Sequence, residues 1–259
     1  ITISIVGELL TIDSEKSFFS LLKREYKELF PRLGDRTRFN RTKRNLHLVI
    51  SKIRGYISEF MQLYSNNIRV IDSMPIPVCE FGRARFSKCF KGEASYGRCA
   101  SKKETYFGFK FHALTTVDWF LSDYVITPAN IDDRNVVWDL CDKYRSISII
   151  GDKGYINKRL TPELKNERYI DLLFLKIENS RDNYPKEVRQ LLFKVRRRIE
   201  TSFSQLTEQL NLNKVKSKSM LGFMTRTSIK VLAHNISFLI NKLMRNDDSI
   251  AKIKRLVFG

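Results

Sequence analysis

The sequence lacks any apolar run of roughly 18 or more residues, the length that a membrane-spanning helix needs. It has no signal-peptide pattern at its start. Its four cysteines lie ten or more residues apart, so they form no CxxC knuckle for a structural zinc ion. We therefore expect a cytoplasmic protein with reduced thiols, and we do not expect a membrane, secreted or zinc-finger protein.

Acidic residues are scarce beside basic ones. The chain has 28 Asp and Glu against 47 Lys and Arg, a formal net charge of +19 over 259 residues. Because so much self-repulsion contributes nothing to stability, the excess favours a polyanionic partner, most often nucleic acid. An anionic membrane surface is the alternative. We predict double-stranded DNA as the partner and no membrane.

Residues 1–66 have helical spacing of apolar residues, with a helix beginning near Asp13. A basic stretch, RTRFNRTKR at 36–44, separates it from a second helix. Helix, basic turn and helix suit a DNA-binding region, with Arg36, Arg38 and Arg41 as contacts, although a solvated basic surface remains equally open. The sequence opens on Ile1 and not on Met, so we expect this region to be truncated.

From residue 67 the pattern changes to short β-rich runs followed by alternating helices and strands. The runs at 106–116 and 120–130 are predicted to pair around a turn at Asp118–Trp119. This order predicts a mixed sheet flanked by helices over 67–245, followed by a basic tail at 246–259. The other predicted strands are 68–78, 146–152 and 171–177, and the predicted helices are 133–144, 186–210 and 222–244.

Three acidic residues occupy positions that suit a metal site. Asp72 follows the apolar run IRVI, Asp152 follows ISII in a GDKGY turn, and Glu200 lies within a long helix. Strand ends converge on one crevice in an α/β sheet. Clustered carboxylates repel one another unless cations intervene, and two Mg²⁺ ions about 4 Å apart suit phosphoryl transfer. Each residue alone would be an ordinary turn or surface acid.

Several motifs in one order carry a family resemblance: VIDSMPIPVC, YFGFKFHAL, the TPAN–D segment, GDKGY and RRIETSFSQL. Together they resemble the DDE transposases of bacterial insertion sequences, closest to the insertion-sequence 982 family. The resemblance implies a ribonuclease-H-like core behind a small N-terminal helical DNA-binding region. It also implies that Asp72, Asp152 and Glu200 are catalytic and bind two Mg²⁺ ions, for which Mn²⁺ could substitute.

The resemblance further implies a DNA-gripping arginine near the glutamate. Related transposases carry the pattern Y-x2-R-x3-E-x6-K, which here reads Phe193, Arg196, Glu200 and Thr207. The Arg and Glu match, whereas the Tyr and Lys do not. Arg196 is therefore the predicted backbone contact, and an i,i+4 surface pair with Glu200 is the alternative. Further predicted DNA contacts are Lys153, Arg197, Lys214, Lys216 and Lys218.

Some residues favour a structural role. His112 lies opposite three phenylalanines of a strand, where a hydrogen-bonded histidine is more common than a metal ligand. Trp119 and Trp138 favour packing over base stacking.

The predicted function is a transposase that binds the terminal inverted repeats of its element, cleaves the ends and joins them to target DNA. The resemblance implies a homodimer or larger assembly on DNA, in a bacterial cytoplasm beside the nucleoid. Two alternatives remain open: a catalytically inactive, transposase-derived DNA-binding protein, and a metal-dependent nuclease on the same scaffold.

Overall fold

The protein is described from a computed structural model. The described residues are 1–62, 66–99, 103–155, 157, 159–175, 184–245 and 250–256.

The chain packs into two compact units. The helical unit comprises Ile1–Glu59, Ser87–Glu93 and Gln205–Gly259, and the sheet unit comprises Phe60–Phe86 and Ala94–Ser204. The predicted limits at residues 66 and 245 separate a DNA-binding region, a catalytic domain and a tail. They stay a prediction, because the two units describe packing alone. Of the predicted tail at 246–259, residues 246–249 and 257–259 lie outside the described residues.

Helices dominate the first 62 residues. The helices there are α1 (Thr2–Leu9), α2 (Glu15–Glu25), α3 (Arg36–Asn45) and α4 (His47–Gln62). The helix predicted to begin near Asp13 is α2, whose cap is Ser14 and not Asp13, because the Ser14 hydroxyl accepts from the Ser17 N–H. The predicted basic turn is also wrong, because α3 itself carries that stretch. The Asp35 carboxylate accepts from the Arg38 N–H at 2.7 Å and so caps a helix there.

A six-stranded mixed sheet forms the other unit. The strands are β1 (Ile68–Pro77), β2 (Ser95–Cys99), β3 (Glu104–Thr116), β4 (Leu121–Pro128), β5 (Ser148–Gly151) and β6 (Asp171–Phe174). Strand β3 pairs antiparallel with β1, β2 and β4, whereas β1, β5 and β6 pair in parallel. The predicted β3–β4 hairpin is confirmed. This mixed sheet with its helices is compatible with a ribonuclease-H-like fold.

Four α-helices follow the hairpin in the described part of the chain. These are α5 (Val137–Cys141), α6 (Leu160–Arg168), α7 (Lys186–Ser204) and α8 (Met220–Leu243). Helices α5 and α6 bury Leu140 and Leu164 in the core against Ile71 and Ile149 of the sheet. Trp138 packs against this core as predicted, and the Arg168 guanidinium lies 5.2 Å from its ring centroid.

Some element limits differ from those predicted. Helix α7 ends at Ser204 and gives way to a π-helical turn at Gln205–Gln209, so the helix predicted to run to 210 is shorter. Strand β6 ends at Phe174, and residues 176–177 of the predicted strand lie outside the described residues. Strand β2 and helix α6 were not predicted, because short segments carry little periodicity.

Gly108 tests how tightly the sheet is packed. A Cβ atom on Gly108 would lie 2.2 Å from the Ile76 carbonyl oxygen, a backbone atom that cannot move aside. We expect Gly108→Ala to destabilise the sheet unit by about 2–3 kcal/mol, the cost of overpacking, and to lower the melting temperature. The matched control is Gly82→Ala in the same unit, where a Cβ meets nothing within 4 Å. Equal melting temperatures for the two variants would contradict this packing.

Candidate active site

Asp72 and Asp152 lie at one edge of the sheet. Strand β1 pairs in parallel with β5 over Ile68–Val70, and Asp72 lies just beyond the last of these paired residues. Asp152 directly follows β5. Both aspartates therefore follow the carboxyl ends of adjacent parallel segments, where α/β sheets form their crevices.

Arg196 of α7 contacts both aspartates. Its Nη2 atom lies 3.2 Å from Asp72 Oδ2 and 3.8 Å from Asp152 Oδ2. Burial raises the pKa of Asp72, while the charge of Arg196 opposes that rise. One guanidinium thus balances two neighbouring carboxylates that would otherwise repel each other.

Helix α7 is fastened to the β3–β4 turn. The Arg198 guanidinium donates to the Val117 carbonyl at 2.6 Å, and the Ser202 hydroxyl donates to the Trp119 carbonyl at 2.8 Å. The Arg198 guanidinium also lies 5.1 Å from the Trp119 ring centroid, so Trp119 packs as predicted. Helix α7 also buries Leu192 and Ile199. These contacts hold α7 in the position that places Arg196 at the sheet edge.

Glu200 stands apart from the two aspartates. Its side chain is 53% exposed, and its ion partner is Arg197 at 4.0 Å. No ion pair joins Arg196 to Glu200 among the described residues, so the alternative of a surface pair between them is not what α7 presents. Within the described ranges, no three His, Cys, Asp or Glu side chains are grouped closely enough to hold a metal ion. The structure brings together two of the three predicted carboxylates.

A polar network that was not predicted lies beside Asp72. The Ser73 hydroxyl donates to Asp133 Oδ2 at 3.1 Å, and Lys110 Nζ donates to Asp133 Oδ1 at 2.7 Å. Lys110 Nζ also donates to the Ile131 carbonyl at 2.9 Å. The signals for these residues were the polar register of β3, which carries Lys110 and His112, and the acid after TPAN.

Tyr155, the last residue of the GDKGY motif, is buried next to this network. Burial raises the pKa of its hydroxyl well above the usual value, and the charges of Asp133, Asp72 and Asp152 add to the rise. The hydroxyl lies near Ser73 without a well-aligned hydrogen bond. Tyr155 therefore stays neutral and lies in the hydrophobic core next to the aspartates.

A cavity of about 510 Å³ adjoins Asp133 in the sheet unit, and Lys153 and Lys110 line it. The Lys153 N–H donates to Asp152 Oδ1 at 2.7 Å, which ties this wall to the second aspartate. Lys153 is exposed, as the predicted phosphate contact requires. The other residues that line the cavity are Asn130, Ile131, Asp132, Arg134 and Gly154.

The remaining predicted DNA contacts are all exposed. Arg197 lies on α7 with its guanidinium 5.9 Å from the Phe193 ring centroid. The others lie in the helical unit: Arg36, Arg38 and Arg41 on α3, and Lys214, Lys216 and Lys218 before α8.

A family model described as the transposase DDE domain matches residues 62–220, more than half of the chain. The chain belongs to the transposase DDE domain family. DDE transposases act on DNA and generally use divalent metal ions, so the match makes DNA the partner of this transposase. No curated protein and no solved structure matches the chain. None of the helices in the described part of the chain is long and apolar enough to cross a membrane.

His112 allows a test of the buried network by pH. Its side chain is fully buried, and its Nε2 atom lies 2.9 Å from Thr127 Oγ1, consistent with the structural role that was predicted. Burial lowers the pKa of His112 to about 4, with Asp133 opposing and Lys110 adding to the shift. An unfolded chain would bind this proton near pH 6.5, so the folded protein must lose stability as pH falls from about 6.5 to about 4.

We expect this loss to be on the order of 3 kcal/mol from His112 alone. The measurement is the free energy of unfolding of the parent and of His112→Gln across that pH range. The parent should fall more steeply, because glutamine keeps a hydrogen bond to Thr127 without binding a proton. Parallel curves for the two proteins would show that His112 is not held neutral.

Proposed function

We propose that this transposase, a member of the insertion-sequence 982 family, binds the terminal inverted repeats of its element and catalyses DNA cleavage and strand transfer. Asp72, Asp152 and Glu200 are the proposed catalytic carboxylates. The observation that carries the proposal is the shared contact of Asp72 and Asp152 with Arg196, at a sheet edge within the matched family domain.

The donor chemistry at this edge fits a divalent metal ion. Asp72 and Asp152 offer carboxylate oxygens, the ligands that Mg²⁺ prefers, and one positive charge already lies between them. Two bound Mg²⁺ ions, or Mn²⁺ in their place, would activate the attacking oxygen and stabilise the leaving oxygen of the phosphodiester. Asp72 and Asp152 would hold them from the sheet, and Glu200 from α7.

Arg196 has two roles in this proposal. Without metal it balances the charges of Asp72 and Asp152. With a divalent ion bound at the aspartates, the guanidinium would be free to bind a DNA phosphate, which it can do through two parallel hydrogen bonds. Glu200 lies one helical turn from Arg196, and among the described residues its ion pair is the 4.0 Å contact with Arg197, so its exposed carboxylate could turn towards the aspartates.

Of the other predicted contacts, Lys153 lies beside Asp152 and would bind the phosphate backbone of the substrate strand. Lys153 follows Asp152 and lines the adjoining cavity. Lys110 and Arg134 also line it but are paired with Asp133 and Asp132, so Lys153 is the proposed phosphate contact along that wall. We further propose that two element ends are held by a homodimer or larger assembly, and that the protein acts in the bacterial cytoplasm on nucleoid DNA. The catalytically inactive alternative is not favoured, because the matched domain retains both aspartates.

Strand transfer tests the carboxylate assignment. Labelled duplexes that carry the two ends of the element are incubated with a target plasmid and Mg²⁺, and joined products are separated on a gel. We expect Asp152→Asn and Glu200→Gln to lose joined product by at least about 100-fold, in line with losses of electrostatic catalytic groups, while they still bind DNA.

Matched controls separate this from a general loss of charge. Asp139→Asn removes an exposed carboxylate from the sheet unit, and Glu187→Gln removes one from α7 itself. Both should join ends like the parent. Joining by Glu200→Gln at the parental rate would remove Glu200 from the site, and cleavage without any joining would favour a nuclease over a transposase.

Arg196 gives an independent prediction without DNA. We expect Arg196→Gln to bind Mn²⁺ about tenfold more tightly, because the ion no longer displaces a cation that lies within 4 Å of both aspartates. The same variant should join ends poorly. Titration calorimetry measures the affinity, with Arg189→Gln on the same helix as the control. An unchanged Mn²⁺ affinity in Arg196→Gln would contradict a shared metal and arginine position.

A further inference from the structure

A cleft in the helical unit joins two basic segments that are far apart in sequence. Helix α3 contributes Arg36, Lys43 and Arg44, and the segment before α8 contributes Lys216 and Lys218. On α3 these positions follow each other at helical spacing, so one face of the helix lines the cleft. The cleft has a volume of about 540 Å³. We call it the basic cleft.

Positive charge exceeds negative charge in the basic cleft. Seven Lys and Arg side chains line it against Asp13 and Glu15. Lys43 pairs with Glu15, and Lys216 Nζ lies 3.5 Å from Asp13 Oδ2, so some cations are already balanced. In the described part of the chain, Lys16, Arg44 and Lys218 have no ion pair. The cleft therefore keeps a surplus of positive charge that faces solvent.

Hydrogen bonds and ion pairs of Arg226 hold part of the wall of the basic cleft in place. The Arg226 guanidinium donates to the Asp13 carbonyl at 2.6 Å and to the Lys216 carbonyl at 3.2 Å, which ties the segment before α2 to the segment before α8. Arg226 Nε lies 3.8 Å from Glu8, which also pairs with the buried Lys230 of α8. These contacts thus hold in place the backbone that carries cations of the cleft.

The amino end of α8 opens into the basic cleft. Ser219 caps the helix by accepting from the Gly222 N–H, and both residues line the cavity with Ser217. The dipole of this 24-residue helix adds positive potential there, and the hydroxyls add hydrogen-bond donors. Among the described residues that line the cleft there is no aromatic side chain on which a base could stack.

We propose that the basic cleft binds the phosphate backbone of double-stranded DNA, at a site separate from the carboxylates of the sheet unit. This rests on the proposed function for the identity of the partner. Lysine, arginine and hydroxyl donors without an aromatic platform suit backbone phosphates rather than bases, so the contact carries no sequence choice. Of the predicted contacts, Arg36, Lys216 and Lys218 belong to this site, whereas Arg38, Arg41 and Lys214 do not line it.

The test is duplex binding in EDTA, where no catalysis occurs. Fluorescence anisotropy of a labelled 30-base-pair duplex of arbitrary sequence is followed at salt concentrations between 50 and 200 mM. We expect Lys216→Gln/Lys218→Gln to lower the salt slope of log K by about 1.8, since each lost phosphate contact removes about 0.9. Affinity at 100 mM salt should fall at least tenfold.

The matched control is Lys27→Gln/Lys52→Gln, which removes the same charge from exposed positions of the helical unit outside the cleft. It should change affinity less than threefold. Equal losses in the two double variants would overturn the proposal in favour of a diffuse charge effect. Ser217→Trp tests the cavity without a charge change and should also weaken binding, provided its melting temperature matches that of the parent. Parental affinity in a stable Ser217→Trp variant would likewise overturn it.

Two further measurements distinguish the basic cleft from the proposed catalytic site and from a membrane-binding site. Asp152→Asn should keep the parental salt slope, so failure of the catalytic proposal would leave this one standing. Vesicles containing phosphatidylserine serve as the competing anionic surface. If the parent bound them and Lys216→Gln/Lys218→Gln did not, while duplex binding stayed equal, the cleft would be a membrane site and the proposal would be wrong.

Discussion

The guanidinium of Arg196 lies between two carboxylates that the sheet brings to one edge, and the local structure depends on this balance of charge. Asp72 is largely buried, so its ionised form needs a cation close by. Helix α7 supplies that cation because Arg198 and Ser202 fasten it to the β3–β4 turn. A metal ion would compete for the same position, so metal binding and the release of Arg196 are one event in this account.

Much of the sheet unit could be predicted from the sequence. The alternating run that ends at Thr116 and the run that follows Trp119 form the β3–β4 hairpin, because period-two patterns with a turn between them specify local pairing. Asp72 and Asp152 were predicted together because strand ends meet at a crevice. Strand β2 escaped prediction, since its five residues SYGRC include a glycine and show little alternation.

The contacts across long sequence separations could not be predicted. Ser73, Lys110 and Asp133 meet only because β1 and β3 pair and the following turn returns to them. The direction in which Arg196 points depends on how α7 docks, which helical periodicity does not give. In the helical unit, the predicted basic turn is a helix because Asp35 caps it, and that helical face forms a cleft with lysines about 180 residues further along.

The central claim is that Asp72 and Asp152 share a metal ion at the sheet edge. Anomalous diffraction from crystals of the transposase with Mn²⁺ and an element-end duplex tests it most directly. We expect a manganese peak within coordination distance of an oxygen of each aspartate, with Arg196 turned to a phosphate and Glu200 turned towards the ion. A manganese peak away from both aspartates, with Arg196 still bridging them, would contradict it.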